Sequence, residues 1–146
     1  MKYLKKDKKE IDRIVKGILL KKDEIEFAYF FGSYINSETF HDIDIALYLD
    51  KNFNYKDPGS FPYGYETSVA ASISRELKIG NIDIIILNRA DLHLFKNVIN
   101  TGKLIFEKNR FFRINCENNI IKEFIDTRHL NRIKNFYLTK KIEKNV

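Results

Sequence analysis

Three aspartates and a Gly-Ser pair are the residues of this chain whose types and spacing point to chemistry. Gly32 and Ser33 close one apolar run, eight residues follow, and then come Asp42, Ile43 and Asp44 at the head of a second run. Residues i and i+2 of a strand share a face, so Asp42 and Asp44 project together while Ile43 and Ile45 point the other way. Two neighbouring carboxylates repel unless a cation neutralises them. A Gly-Ser just after a strand allows close backbone approach and offers amide and hydroxyl donors to an anion. Asp83 stands in a third apolar run, sharing a face with Ile85 and Leu87. Placed beside the second run, it joins the other two. Three carboxylates suit a pair of Mg²⁺ ions, which favour hard oxygen ligands and substrate phosphates. An Asp-x-Asp alone fits a turn cap equally well; the upstream Gly-Ser and the third Asp turn the reading toward a metal and phosphate site.

The elements that must position these residues follow from periodicity. Ile25–Phe31, Ile43–Leu49 and Asn81–Leu87 read as strands, and Lys103–Glu107 as a short fourth. Ile11, Ile14, Val15, Ile18 and Leu19 mark an amphipathic helix over about residues 5–21. Residues 34–40 fit a turn or a single helical turn. Residues 50–64 hold both prolines and read as a loop. Val69, Ala70, Ile73 and Leu77 mark a second helix, with Gly80 as its expected C-cap. Asp91 is the expected N-cap of a helix running to Thr101, closed by Gly102. The remainder, from about 108 to 146, reads as helical with a break expected at Asp126–His129, its Phe and Ile positions serving core and helix packing or, beside Arg128, Arg132 and Lys134, an interface. The expectation is one domain, 1–146, of α+β order and α/β composition: a small mixed sheet flanked by helices, with a helical C-terminal segment.

Composition sets bounds on partners. The 146 residues are 44% hydrophobic and 32% charged, as in soluble globular chains. No apolar stretch approaches the roughly 20 residues of a membrane span, and the basic start (Lys2, Lys5, Lys6, Lys8, Lys9) has no apolar stretch after it to make a signal peptide. Cys116, the single cysteine, forms no internal disulfide, which suits a reducing cytoplasm. The net charge of +6 sits entirely beyond residue 107, where ten Lys/Arg face four Asp/Glu. That balance fits an acidic partner, nucleic acid or protein, and equally a solvated helix face. His41 reads as a turn residue, while His93 and His129 lack the spacing of zinc ligands. Cys116 reads as an inert thiol. The aromatics of the loop, Phe53, Tyr55, Phe61, Tyr63 and Tyr65, fit either loop anchoring or a lid over the site.

The stretch FFGSYINSETFHDIDIALYL, with NIDIIILN after it, resembles the minimal nucleotidyltransferases (MNT) of the DNA polymerase β superfamily. The likeness continues through ADLHLFKNVINTGKLIFEK and NNIIKEFIDTRHLNRIKNFYL, and so covers nearly the whole chain. It implies a nucleotidyltransferase fold in which Gly32 and Ser33 hold the β- and γ-phosphates of ATP. Asp42 and Asp44 would bridge two Mg²⁺ ions, and Asp83 would complete the metal on the nucleophile side and help deprotonate the acceptor. It further implies transfer of AMP to a hydroxyl, with a tyrosine of a HEPN-type ribonuclease toxin as acceptor and this chain as the antitoxin. A non-catalytic antitoxin that masks the toxin by binding through its basic C-terminal helix is the alternative; transfer to a small molecule or an RNA is the third reading. Many such proteins carry Arg or Lys just after Gly-Ser, where this chain has Tyr34, Ile35 and Asn36, and the gap to Asp-x-Asp is shorter than their usual ten. Lys51, Lys56, Arg75 and Lys78 are the candidates for the missing cation.

Overall fold

A computed structural model describes residues 7–144. Five helices and four strands alternate along the chain: α1 (Lys8–Leu20), β1 (Ile25–Phe31), α2 (Ser33–Asn36), β2 (Ile43–Leu49), α3 (Tyr65–Leu77), β3 (Ile82–Ile86), α4 (Leu92–Thr101), β4 (Lys103–Glu107) and α5 (Arg110–Lys144). The strands form one sheet in the order β3-β2-β1-β4. β1 runs antiparallel to β2 and β4, whereas β3 lies parallel to β2. A parallel neighbour needs a crossover, and the loop after β2 together with α3 supplies it.

Both faces of the sheet are covered, which is why β1 and β2 read as near-continuous apolar runs. On one face, Ile11, Val15 and Leu19 of α1 and Val69, Ile73 and Leu77 of α3 pack against Phe30, Ile45 and Leu47. On the other, Phe95 and Val98 of α4 and Cys116 and Ile120 of α5 meet Phe27, Tyr29, Ala46 and Leu87. The start of α5 is pinned by charge as well. Arg113 bridges Glu107 of β4 and Glu117, and Glu117 accepts the Tyr29 hydroxyl proton from β1.

The expected elements are found with small shifts of boundary. α1 begins at Lys8, capped by the Asp7 carboxylate on the Lys9 amide; residues 5 and 6 of the expected helix, and Lys2, lie outside the described residues. Asp91 caps α4 as expected, accepting from the Leu94 amide. Gly102 does close α4, but in an extended conformation. Its need for glycine is spatial: a Cβ there would press on the Val98 carbonyl and lie 3.1 Å from the Phe30 carbonyl. α3 stops before Gly80. Lys78 takes the left-handed position at φ 57°, and the Ser74 hydroxyl donates to the Ile79 carbonyl at 2.5 Å as Ile79 turns inward to be buried.

Two expectations fail in α5. The helix runs without interruption through Asp126–His129. None of these four residues is Gly or Pro, so each continues a helix at small cost once the preceding turns exist. The core reading of the Phe and Ile positions fails in its second half, where Ile125, Ile133 and Phe136 are exposed; the interface alternative is left open.

Candidate active site

One end of the sheet gathers every residue singled out for chemistry. Phe31, the last residue of β1, pairs with Asp44 on β2, and Asp44 pairs in turn with Asp83 on β3. Parallel neighbours stand about 4.8 Å apart, so register alone sets two carboxylates side by side. Asp42 sits one residue before β2. Asp44 alternates with the buried Ile43 and Ile45 and so faces α4 and α5 rather than α1 and α3. Asp83 follows the same rule, on the side of Ile85 and Leu87. The two strand entrances are also tied directly. The Ile43 amide donates to the Asn81 carbonyl at 3.0 Å, and the Asn81 side-chain amide donates to the His41 carbonyl at 3.3 Å.

The carboxylates of the cluster act on one another. Burial pushes the Asp44 carboxyl up from the ordinary range, and the charges of Asp83 and Asp42 push it further, with a hydrogen bond to Asp83 adding to the rise. A divalent cation relieves all of these charge terms at once, and carboxylate oxygens are the donors Mg²⁺ prefers. No three His, Cys, Asp or Glu side chains are gathered as a finished ligand set among the described residues.

Gly32 fits this cluster for two independent reasons. Its φ of 72° and ψ of −151° lie where side chains are rarely tolerated. A Cβ at that position would collide with the Asp44 carboxylate. Ser33 follows, exposed at the start of the single turn α2, with its hydroxyl free to meet solvent or an anion. The backbone of this turn is therefore in direct contact with the acidic strand.

The position after Gly-Ser is not a solvent-facing cation. Tyr34 is buried against Phe30 and Phe40 and donates its hydroxyl proton to Asp12 of α1 at 2.5 Å. Lys8 closes the other end of α2, donating to the Tyr34 and Ser37 carbonyls at 2.6 Å each, above the Tyr34 and Phe40 rings. Sequence reasoning missed Lys8 and Asp12. Their i, i+4 spacing puts them on one face of α1, but the same spacing occurs on any solvated helix.

The four cations considered as substitutes lie elsewhere. Lys51 follows the opposite end of β2 and lines an open cavity of about 560 Å³ with Tyr48, Asn88, Phe95 and Glu123. Lys56 lies over the Tyr55 ring. Arg75 and Lys78 are exposed at the end of α3, which packs on the sheet face away from the carboxylates. The loop aromatics divide as well: Phe53, Phe61 and Tyr65 pack on one another and anchor the loop, while Tyr63 points to solvent. His93 meets Phe124 edge-on. Burial pushes the Cys116 thiol up, in keeping with an inert role.

Comparison with known proteins places this geometry. The model of the family described as polymerase beta nucleotidyltransferase matches residues 13–111. By sequence, no curated protein matches. Among solved structures, the chain is similar to a toxin–antitoxin crystallised with AMP-PNP, at 17% identity and TM-score 0.65, covering 81% of this chain and 90% of that one. It is also similar to a tri-AMPylated Shewanella oneidensis HEPN toxin in complex with an MNT antitoxin, at 16% identity and TM-score 0.59, covering 81% and 90%. A further Shewanella oneidensis structure, 18% identical with TM-score 0.60, is matched over 93% of this chain and 99% of its own. At these identities the structural likeness speaks for the fold. The family match spans more than half of the chain and contains Gly32, Ser33, Asp42, Asp44 and Asp83, so the sheet end that carries them belongs to a member of the polymerase β nucleotidyltransferase family.

Proposed function

We propose that this chain is a Mg²⁺-dependent nucleotidyltransferase that moves AMP from ATP to a tyrosine hydroxyl of a HEPN-type toxin, and so acts as the antitoxin in the cytoplasm. The observation that carries the reading is the pairing of Asp44 with Asp83 across parallel strands, with Asp42 beside them and Gly32 pressed against Asp44. The similar toxin–antitoxin structures with AMP-PNP and with a tri-AMPylated toxin support the choice of nucleotide and acceptor.

Two Mg²⁺ ions held by Asp42, Asp44 and Asp83 would supply counter-charge to the triphosphate and to the acceptor oxygen. The chain's own groups do the rest. Gly32 lets the backbone approach the β- and γ-phosphates without a side chain in the way, and the Ser33 hydroxyl donates to them. Asp83 takes the proton of the acceptor hydroxyl. The hydroxyl oxygen bonds to the α-phosphorus, the bond from that phosphorus to the β-phosphate oxygen breaks, and pyrophosphate leaves. Phosphoryl transfer of this kind needs positioning and charge more than covalent catalysis, so few residues suffice.

A second reading keeps the fold and drops the chemistry: an antitoxin that neutralises by binding. The buried Tyr34, in the place where a cation would meet the triphosphate, favours it. Labelled ATP, Mg²⁺ and the purified product of the adjacent gene separate the two. Label on a tyrosine of that protein, lost with Asp42→Asn and Asp44→Asn, supports transfer. Neutralisation that persists in both variants, with no label transferred, supports binding alone. Label on an RNA or a small molecule instead defeats both.

A further inference from the structure

Ten of the twelve exposed large apolar side chains recorded for this structure belong to one element, α5. Seven of the ten lie beyond Phe124, where α5 leaves the body of the protein. Leu130 is 63% exposed, Phe136 56% and Tyr137 67%. Among the described residues, the side-chain hydrogen bonds and ring contacts of this segment stay within the helix: Phe136 with Tyr137, Lys140 over Phe136, and the Thr139 hydroxyl on the Asn135 carbonyl. Monomeric soluble proteins rarely expose apolar side chains in such density on one element.

The charge on the same segment says what covers it. Residues 125–142 contain five Lys/Arg and one Asp. Near its start a groove of about 320 Å³ opens between α4 and α5, with Leu92 and Phe124 in its wall beside Arg128 and Arg132. A second copy of this chain would bring two basic segments together at a cost in repulsion. An RNA would use the cations and leave Leu130, Ile133 and Ile142 without partners, since aliphatic side chains contribute little to phosphate contact. An acidic protein surface with an apolar groove satisfies both. The segment spans about 27 Å at 1.5 Å per residue, a length that suits a helix laid into a groove.

We propose that the second half of α5, from Ile125 to Ile142, is a docking helix for an acidic protein whose groove takes up Leu130, Ile133, Phe136 and Tyr137. Identifying that protein with the AMP acceptor rests on the function proposed above. The first half of α5, through Cys116 and Ile120, packs on the sheet face to which Asp44 and Asp83 belong, and the docking element continues from it.

Calorimetric titration of the full chain with the purified product of the adjacent gene tests this. The double variant Ile133→Glu/Tyr137→Glu is expected to bind about 100-fold more weakly, the scale of a lost interface anchor. Arg132→Glu/Lys134→Glu is expected to weaken binding and flatten its salt dependence. Both variants should keep the wild-type circular dichroism, since the altered residues are exposed and Glu is a good helix former. Wild-type affinity in both variants, or no binding by the wild type, overturns the proposal. So does self-association of the wild-type chain that the first variant abolishes, or binding to a 20-nucleotide RNA that is tighter than binding to the protein. If the wild type binds through α5 but transfers no AMP, the proposed function fails and the docking helix stands. If the α5 variants bind and transfer as the wild type does, the docking helix fails and the function stands.

Discussion

The carboxylate end of the sheet and the far half of α5 are built on opposite terms. At the sheet end the candidate residues Asp44, Asp83 and Gly32 are held by neighbouring elements. Asp44 and Asp83 are fixed by strand register, Gly32 by contact with Asp44, and α2 by Lys8 and Tyr34 from below. Beyond Phe124, by contrast, α5 carries its apolar side chains into solvent with only its own backbone for support. Chemistry needs preorganised groups, whereas recognition of a large partner works from a surface that stays open until the partner arrives. One small chain thus combines a rigid candidate site with a helix whose second half is largely exposed.

Breaking the rigid half should have the largest effect. Asp44→Asn is expected to cut AMP transfer at least ~100-fold, since even partners behind a metal ligand are worth about 10–100-fold; a rate assay at saturating ATP checks this. The same variant should leave affinity for the protein partner unchanged, and a parallel loss of binding would erase the distinction between the two regions. Removing the carboxylate also removes the repulsion that raises Asp44, so the metal-free variant should melt above the wild type.

Gly32→Ala comes next. A side chain at φ 72° costs about 1–3 kcal/mol in strain, and its Cβ would push Asp44 aside. Denaturant unfolding should show that loss, and transfer should fall with it. A variant as stable and active as the wild type would mean that the close approach of α2 to β2 is not needed.

Three buried phenols sharpen the comparison through pH. Tyr29, Tyr34 and Tyr65 donate to Glu117, Asp12 and Glu24, and burial followed by the adjacent carboxylate raises each well above the usual phenol range. Below about pH 10 both folded and unfolded chains keep these protons. Above it the unfolded chain releases them while the folded chain does not, so the folded state binds more protons and stability falls as pH rises. Each phenol contributes up to about 1.4 kcal/mol per pH unit. Stability measured between pH 9 and 11.5 should drop steeply, and each Tyr→Phe substitution should flatten the curve.

The smallest effect belongs to the open half. Ile133→Ser is expected to change the stability of the isolated chain by no more than about 0.5 kcal/mol, whereas Leu47→Ala in the core should cost about 2–5 kcal/mol. A large loss at Ile133 would mean that the second half of α5 packs on something in the free protein.

Much of the site was legible because strands carry their own ruler. A period of two put Asp44 opposite Ile43 and Ile45 and Asp83 with Ile85, and the sheet kept that alternation, while Asp42 and Leu87 stand just beyond the strand ends. Caps such as Asp91 were equally readable, since a short side chain before an apolar helix satisfies amides whatever the rest of the fold does. The end of α3 was not, because Gly80 and Lys78 compete for the left-handed position, and the burial of Ile79 decided for Lys78. The fate of the α5 apolar residues was unreadable for a related reason. Ile133 and Phe136 have the composition of core residues, and only the path of the helix past α4 shows that no core lies there.

Sequence by itself determined the identity of the chemical groups, the face on which each stands and the family to which their spacing belongs, because these follow from local stereochemistry. Tertiary structure decided what no local rule contains. It set Asp83 beside Asp44 through the β2–β3 pairing, turned Tyr34 inward onto Asp12, carried Lys51 to the far end of β2 and left half of α5 in solvent. Each of those outcomes depends on which surfaces meet, and a periodicity cannot state its neighbour.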